Sequence, residues 1–281
     1  MSTHAARAYG PSALGGDVRR FVELTMTLAR TEFKLRYFGS ALGYLWSLMR
    51  PLLFFGVIYI FFTQIVQLGK GVPHYGLYLL EGIVLWNYMA EATGNCVSCL
   101  VAREALLRKV RFPRLVVPLS VSLTATFNLG MNFIAVFVFA LASGITPTIR
   151  WLELIPIVLG FVVLATGIGM LLSALYVRYR DVQPIWEVAL QAWFYLSPVM
   201  YTAKAYSHFA PGFTHIAMAN PAATMLTQLG HAFIGGSALP PATTAAGGVA
   251  PVVVAVALIP VSFALGWWFF TREAPRVAED L

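Results

Sequence analysis

Few residues of this sequence have the types and spacing that a chemically active site requires. The sequence has two cysteines, Cys96 and Cys99, and their spacing also occurs in redox and zinc sites. No other thiol could complete a four-ligand zinc site, and cysteine is common as a small apolar residue, so we expect both to be structural. The sequence contains no G-x-x-x-x-G-K-[ST] loop for nucleotide phosphates, no H-E-x-x-H and no G-x-S-x-G. We therefore expect neither a catalytic site nor a metal in this chain.

Carboxylates within apolar stretches are the other candidates, because an ionisable group inside a membrane is costly and is usually functional. Glu81, Glu91, Glu153 and Glu187 lie in or near such stretches. Only Glu91 is expected to lie deep, and no other apolar stretch offers it an obvious basic partner. A proton relay would need several deep carboxylates or histidines, and all five histidines lie outside the apolar stretches. Ion-coupled chemistry is therefore not expected.

The composition requires a lipid-facing fold. Of the 281 residues, 59% are hydrophobic and 11% are charged, whereas soluble domains have about 45–50% and about 25%. Six apolar stretches are long enough to cross a bilayer as helices. They cover residues 50–67, 77–100, 115–142, 152–176, 185–203 and 250–271. The prediction is an all-α integral membrane protein with six transmembrane helices.

Basic residues are distributed unevenly between the two sides of this topology. All but three of the nineteen Lys and Arg residues fall on the side of the two termini, and the exceptions are Lys70, Arg150 and Lys204. Because cytoplasmic loops carry the excess of positive charge, both termini of this multi-pass protein are predicted to be cytoplasmic, in a plasma (inner) membrane. The first 17 residues contain no apolar core, so a cleavable secretory signal is not expected.

Charge is concentrated in two predicted cytoplasmic loops. The first is the stretch 101–114, VAREALLRKVRFPR, whose charged residues are Arg103, Glu104, Arg108, Lys109, Arg111 and Arg114. A short helix here could fix orientation and bind anionic lipid headgroups, or it could dock a cytoplasmic partner. The second loop, Val177–Pro184, contains Arg178, Arg180 and Asp181. It is either a second part of the same docking surface or a simple charged turn.

Residues 17–38 are predicted to form an amphipathic helix. At 100° per residue one face carries the apolar residues Phe21, Leu24, Leu28 and Leu35. The basic residues Arg19, Arg20, Arg30 and Lys34 cluster beside this face, and Arg36 follows near the end of the helix. This pattern is typical of a helix that lies at the cytoplasmic membrane interface, and the alternative is a soluble helix docked on the protein's own loops.

The segment 204–249, between the fifth and sixth spans, is predicted to be external. Pro, Gly and His residues interrupt it too often for it to span the membrane. Asn220 and Pro221 are a plausible start for a short helix that dips into the outer leaflet. The alternative is a mobile external loop.

Polar and aromatic side chains recur at helical spacing within the predicted spans. In the third span, polar residues four apart form a stripe: Ser120, Thr124, Asn128 and Asn132. This stripe serves either helix packing or the lining of a wet path. Aromatic residues share a face in two spans, namely Phe55, Tyr59 and Phe62 in the first and Trp186 and Trp193 in the fifth. They either pack and form interface belts or provide stacking surfaces for sugars.

Several blocks of the sequence resemble one transporter family. They are Arg30–Leu53, Arg108–Ser120, Leu172–Val182, Leu196–Tyr201 and Ala219–Met225, in the order expected over nearly the whole chain. Together they resemble the permease subunits of ABC exporters for lipid-linked polysaccharides, the O-antigen, teichoic acid and capsule class. Within that class the sequence is most similar to the mycobacterial-type permease that exports the lipid-linked galactan of the cell wall.

The resemblance implies a homodimeric permease bound to two copies of a separate cytoplasmic ATPase, which would bind ATP and Mg²⁺, while this chain would hold no cofactor. Residues 101–114 would be the gate and coupling region, with Arg178, Arg180 and Asp181 as a second contact. Helices within 204–249 would form the external gate. Aromatic residues, together with Glu91 and the asparagines of the third span, would line the path of a polyprenyl-pyrophosphate-linked polymer. Membrane lipids are further expected partners, and nucleic acid is not.

The resemblance also implies a division of the chain. Residues 1–16 would be a flexible cytoplasmic tail, 17–38 the interface helix, 39–271 the six-span permease domain and 272–281 a second cytoplasmic tail. Two other functions stay open at this point. One is a secondary transporter or channel driven by an ion gradient, which the missing network of deep charges disfavours. The other is a membrane-embedded transferase acting on lipid-linked sugars, which the missing acid/base cluster disfavours further.

Overall fold

A computed structural model of the chain describes residues 18–38, 43–67, 69, 71–109, 113–208, 212–236 and 239–273, and every regular element in these ranges is helical. The α-helices are α1 (Val18–Tyr37), α2 (Tyr44–Ile60), α3 (Tyr75–Val97), α4 (Cys99–Ala102), α5 (Glu104–Lys109), α6 (Val116–Ala142), α7 (Leu154–Arg178), α8 (Val182–Leu196), α9 (Phe213–Met218), α10 (Pro221–Phe233), α11 (Ala242–Ala245) and α12 (Val249–Glu273). A π-helical segment, Phe61–Val66, continues α2, and 3-10 segments at Ile149–Glu153 and Ala203–His208 precede α7 and follow α8. The predicted all-helical fold is confirmed. The tails 1–16 and 274–281 lie outside the described residues.

Among the described residues, four helical segments are long and apolar enough to cross a membrane. They are Leu48–Val66, Val116–Ala142, Ile149–Arg178 and Val249–Glu273, and they coincide with predicted spans one, three, four and six. Helices α3 and α8 occupy the positions of the predicted spans two and five, but neither is both long and apolar enough to belong to this set. Helix α3 contains glutamates and tyrosines along its length. Helix α8 has 15 residues, which extend only about 22 Å across a hydrocarbon layer of about 30 Å.

The predicted outer end of the fifth span, residue 203, is wrong, because α8 ends at Leu196. Ser197 precedes a proline and adopts an extended conformation (ψ 146°), as residues before proline usually do. Tyrosine hydroxyls then satisfy the carbonyls that the helix leaves free. Tyr201 donates to the Tyr195 carbonyl oxygen at 2.7 Å, and Tyr206 donates to that of Leu196 at 2.7 Å.

Buried side chains form separate clusters towards the two ends of the bundle. One cluster joins α1 and α4 to the adjacent ends of α3, α6, α7 and α12, and we call this region the α1 end. The other cluster joins the 3-10 segment after α8 to α9, α10 and α11, and we call this region the α10 end. Between them, α3 supplies most of the central core, since every residue from Tyr75 to Trp86 is buried. A single unbroken helix therefore connects the two ends.

Two glycines set the distance between α7 and α12. A Cβ atom on Gly266 would lie 2.0 Å from the carbonyl oxygen of Gly167, and a Cβ atom on Gly167 would lie 2.6 Å from the Cα atom of Phe263. Both distances are too short for any side chain. The two backbones are therefore in direct contact, as small residues permit in membrane helix pairs.

Candidate functional site

Helix α1 packs against the bundle along a narrow stripe. Its buried residues are Phe21, Thr25 and Ala29. Leu24 and Leu28 are half-buried, whereas Leu35 is 64% exposed. Only part of the predicted apolar face therefore contacts the bundle, and the position of α1 at the membrane interface stays a prediction. In the next two turns, polar residues of α1 bond to α3, α6 and the segment after α4.

One of these polar residues of α1, Arg36, pairs with Glu91, the acid that the sequence predicts to lie deep. Arg36 forms an ion pair with Glu91 of α3, and the Asn128 side-chain amide donates to the same Glu91 oxygen at 2.6 Å. Tyr37 in turn donates to the Asn128 Oδ1 atom at 2.7 Å. Glu91 therefore does not lie deep in the bundle, and its basic partner comes from α1 rather than from another span.

A second ion pair, between Glu32 and Arg103, joins α1 to the segment that links α4 and α5. The side chains of Glu32 and Arg103 are only 23% and 21% exposed. Burial raises the pKa of the Glu32 carboxyl above its usual value even though Arg103 lowers it. Because desolvation opposes the attraction, this pair stabilises the docking of α1 by less than the attraction alone would.

The two ion pairs border one cavity at the α1 end, with a volume of about 340 Å³. Its polar lining comes from Glu32, Arg36, Asn95, Ser98, Arg103 and Thr124. The Arg103 Nη1 atom is buried there without a hydrogen-bond partner among the described residues. Arg103, which the resemblance implies to be an ATPase contact, thus faces the protein's own interface helix.

Those of the remaining predicted coupling residues of this loop that the structure describes lie at the same end. Glu104 is the first residue of α5, and Arg108 and Lys109 are its last two. The described part of the structure does not include the side chains of Arg108 and Lys109. Arg111 lies outside the described residues. Arg114 is half-buried, and burial lowers its pKa.

The second charged loop follows α7 and is exposed at Arg178, Arg180 and Asp181. The Arg178 guanidinium lies 5.4 Å from the centre of the Tyr179 ring, and that of Arg180 lies 5.0 Å from the Tyr176 ring. Such contacts restrict the two guanidinium groups while leaving them accessible. Helix α4 packs against α7, so the structure brings both predicted coupling loops together. Arg30 and Lys34 of α1 are also exposed.

The polar stripe of α6 is part of the helix packing over most of its length. Ser120, Thr124 and Asn128 are buried, and Thr124 donates to the Ala29 carbonyl oxygen of α1 at 3.3 Å. Asn132 donates to the Asn128 carbonyl oxygen at 3.0 Å, and its Oδ1 atom is buried without a described partner. This geometry favours the packing interpretation for the part of the stripe that faces α1.

The predicted aromatic faces are only partly accessible. Phe55 is buried, with its ring 5.6 Å from those of Tyr59 and Phe139, whereas Tyr59 is 38% exposed and Phe62 is half-buried. Trp186, also half-buried, donates from Nε1 to the Thr93 hydroxyl at 3.0 Å. These side chains combine packing with partial exposure.

Asn220 connects α8 to the start of α10. Its Oδ1 atom accepts hydrogen bonds from the Trp193 Nε1 atom and from the backbone amide of Ala222, each at 3.0 Å. Its Nδ2 atom donates to the Ser197 hydroxyl at 3.1 Å. The predicted helix start is confirmed, because Asn220 is the N-cap and Pro221 is the first residue of α10.

Comparison with known proteins identifies the family. The profile of the ABC-2 type transporter family matches residues 23–233, three quarters of the chain. The chain belongs to this family. It is also 28% identical over 216 residues to the O-antigen export system permease protein RfbA of Klebsiella pneumoniae, which covers 76% of this chain and 82% of that protein. The protein of the same name from Myxococcus xanthus is 29% identical over 212 residues, or 75% of this chain and 80% of that protein.

This membership makes the chain a multi-pass membrane permease of the ABC-2 type, and a transporter rather than a catalytic enzyme. The matched residues begin within α1 and end with α10. They therefore include both ion pairs that join α1 to other segments, both charged loops and the Asn220 cap.

Sequence reasoning named Glu81 of this ABC-2 permease as a candidate but expected only Glu91 to lie deep. Glu81 of α3 is 1% exposed, and neither carboxyl oxygen has a hydrogen-bond partner among the described residues. It lies one turn after Tyr78, and a Cβ atom on Gly230 of α10 would be 3.3 Å from its Oε1 atom. The available signal for this position was that the glutamate lies next to Gly82, on a helix that packs against Gly230 of α10. The sequence did not reveal that Glu81, rather than Glu91, is the most deeply buried acid.

Proposed function

We propose that this chain is the transmembrane permease subunit of an ATP-driven exporter, which moves a polyprenyl-pyrophosphate-linked polysaccharide from the cytoplasmic to the outer face of the plasma membrane. The observation that carries the proposal is the arrangement at the α1 end. There, both charged loops adjoin one core cluster, and the Glu32–Arg103 pair joins one of them to α1. The O-antigen export permeases that resemble most of the chain support polysaccharide as the cargo class. Cell-wall galactan is the narrower cargo that the sequence blocks favour.

The topology that we propose has six spans and cytoplasmic termini. Helices α3 and α8 would be the two further spans, in addition to the four strongly apolar ones. Helix α3 is buried among other helices over most of its length, so it does not need the apolar surface of a lipid-facing helix. The α1 end would be cytoplasmic, since it contains both charged loops, and the α10 end would be external.

We further propose a homodimer with two copies of a separate ATPase, which binds ATP and Mg²⁺. Exposed apolar side chains on α2, among them Phe54, Val57 and Ile60, and on α8, such as Ile185 and Val188, must be covered by lipid or protein. A second copy of the chain would cover part of these faces and would enclose a path between the two subunits. Tyr59, Trp186 and Trp193 lie on the same two helices.

In the proposed mechanism, closure of the ATPase pushes on residues 102–114. The motion reaches α1 through the Glu32–Arg103 pair and reaches α3 through the Arg36–Glu91 pair. Helix α3 then moves relative to α10 and its Asn220 cap, which would open the external gate. The chain thus supplies a mechanical linkage, and the partner supplies the energy.

Charge reversal at the second coupling loop tests this function. We expect Arg178→Glu with Arg180→Glu to reduce copurification of the ATPase and ATP-dependent export by about tenfold or more, because rim charges steer docking. Arg272→Glu is the matched control, since Arg272 is a basic residue at the α1 end but in neither charged loop. Unchanged export by the double variant, or transport by the wild-type chain alone under an ion gradient, would overturn the proposal. Depletion of the protein should cause one completed lipid-linked polymer to accumulate, which would identify the cargo.

A further inference from the structure

A cavity of about 420 Å³ lies at the α10 end and has no role in the mechanism above. It is enclosed by Tyr78 of α3, the 3-10 segment after α8, and helices α9, α10 and α11. Tyr78 and Thr227 are buried at its base, whereas Lys204, Ser207 and Thr244 are exposed at its rim. Its volume falls in the range of about 300–1,000 Å³ that is usual for small-ligand sites. The cavity is therefore open to solvent and can hold a short stretch of a glycan rather than a whole polymer.

Three hydroxyls of this cavity already donate their hydrogens within the protein. Tyr78 donates to the Pro198 carbonyl oxygen at 2.6 Å, Ser207 donates to that of Lys204 at 2.7 Å, and Thr227 donates to that of Ala223 at 2.8 Å. A hydroxyl has one hydrogen and two lone pairs. These three groups can therefore only accept a hydrogen bond from a ligand.

Three further hydroxyls of the lining, those of Thr202, Thr214 and Thr244, form no hydrogen bond with any described residue, so they can both donate and accept. Among the described residues, the lining of this cavity contains no Asp or Glu, so it offers no carboxylate to ligate a metal cation. Phosphate or another anion offers only acceptors, so it could use Lys204 and the three hydroxyls that can donate but not the three that can only accept. A neutral sugar offers hydroxyls that donate and accept together.

The apolar part of the lining fits the same ligand. Ala203, Leu239, Pro240 and Ala245 line the cavity together with the hydroxyl side chains. A sugar ring has C–H groups on its faces and hydroxyls at its edge, so it matches a site that is mostly apolar with a few polar groups. We propose that this cavity binds a neutral, hydroxyl-rich sugar unit of the exported glycan at the outer end of the transport path. The proposal rests on the proposed export function.

The test measures sugar binding directly. Purified full-length protein in lipid nanodiscs is titrated with a neutral β-linked galactose disaccharide, and binding is followed by saturation-transfer NMR. We expect binding by the wild type, and binding at least about fivefold weaker in Thr214→Val with Thr244→Val, since each lost hydrogen bond contributes about 0.5–1.5 kcal/mol. The control is Thr243→Val, because Thr243 belongs to α11 as Thr244 does but does not line the cavity. This control should bind the disaccharide as the wild type does.

Two results would overturn the site. One is equal binding by the wild type and the Thr214/Thr244 double variant. The other is stronger binding of inorganic phosphate than of the disaccharide, with displacement of the sugar. The same variants are then assayed for ATP-dependent export with the ATPase present. Export by the wild type without any binding of the disaccharide would reject the cavity and leave the exporter standing, whereas binding without ATP-dependent export would reject the exporter.

Discussion

The Arg36–Glu91 pair should be the main attachment of α1 to the membrane helices, and Glu91→Gln tests this directly. The substitution keeps the shape of the side chain but replaces the carboxylate that accepts from both Arg36 and Asn128. The Arg36 and Glu91 side chains are 38% and 27% exposed. A hydrogen bond to a charged group contributes about 1.5–3 kcal/mol, and an exposed pair about 0.2–1 kcal/mol, so this partly exposed pair should contribute about 1–2 kcal/mol.

That free energy predicts a measurable change in the opening of α1. A loss of about 1–2 kcal/mol makes the undocked state of α1 about 5–30 times more populated, and amide hydrogen exchange should accelerate by the same factor. The assay is hydrogen–deuterium exchange of α1 peptides, with the full-length protein in nanodiscs. Glu23→Gln is a matched control, because Glu23 pairs with Arg19 on α1 itself and both side chains are well exposed. The control should change exchange little.

Two results would refute this reasoning. The first is an α1 exchange rate that does not change in Glu91→Gln, or that changes as much in Glu23→Gln. The second is additivity in a double-mutant cycle. Once Arg36→Met has removed the guanidinium, Glu91→Gln should have a much smaller effect, because residues in one ion pair do not act independently. Full additivity would mean that Glu91 holds α1 through some other contact.

Three further predictions concern other contacts. Burial raises the pKa of Glu32, so the folded state binds its proton more readily than the unfolded chain does, and this contribution to docking is lost as pH rises through the raised pKa. Glu32→Gln should therefore leave α1 docked at pH 7 and remove the corresponding pH dependence of the α1 protection factor, in which the observed exchange rate is corrected for the intrinsic base-catalysed rate. Gly266→Ala should lower the thermal stability strongly, because its Cβ atom would lie 2.0 Å from the Gly167 carbonyl oxygen. The control Gly130→Ala, whose Cβ atom would meet no atom within 4 Å, should not lower it. Equal melting temperatures for the two variants would contradict the close packing of α7 and α12. Asn220→Ala removes the N-cap of α10 and should destabilise that helix by about 1–2 kcal/mol, with faster amide exchange in α10 as the measurement.

The positions of helices could be predicted from the sequence where the length of an apolar run alone determines them. The third predicted span, 115–142, and the sixth, 250–271, agree with α6 and α12 to within two residues, because an uninterrupted apolar run has few alternatives to a membrane helix. The end of α8 could not be predicted in this way. Its apolar run continues past Leu196, but a proline and the tyrosine hydroxyls that satisfy the free carbonyls end the helix earlier.

The partners within the site could not be predicted, because they depend on how distant segments meet. Glu91 and Arg36 are 55 residues apart, and nothing in the pattern of either helix indicates that they pair. The apolar face assigned to α1 included Leu35, yet the buried stripe follows Thr25 and Ala29. Small and polar residues fit this stripe because α6 approaches closely, as the Thr124 hydrogen bond to the Ala29 carbonyl oxygen demonstrates.

Helix α3 connects the contacts of α1 to the contacts at the α10 end. Glu91, near the α1 end, and Tyr78, at the α10 end, lie on one helix and are about 20 Å apart along its axis at about 1.5 Å per residue. Close-packed interiors resist local compression and transmit displacement, and α3 is buried on nearly all sides over this length. A shift of α1 that moves Glu91 must therefore also move Tyr78, whose hydroxyl is bonded to the turn after α8. The same displacement carries Tyr78 and Glu81 along the surface of α10, because both side chains pack against Gly230.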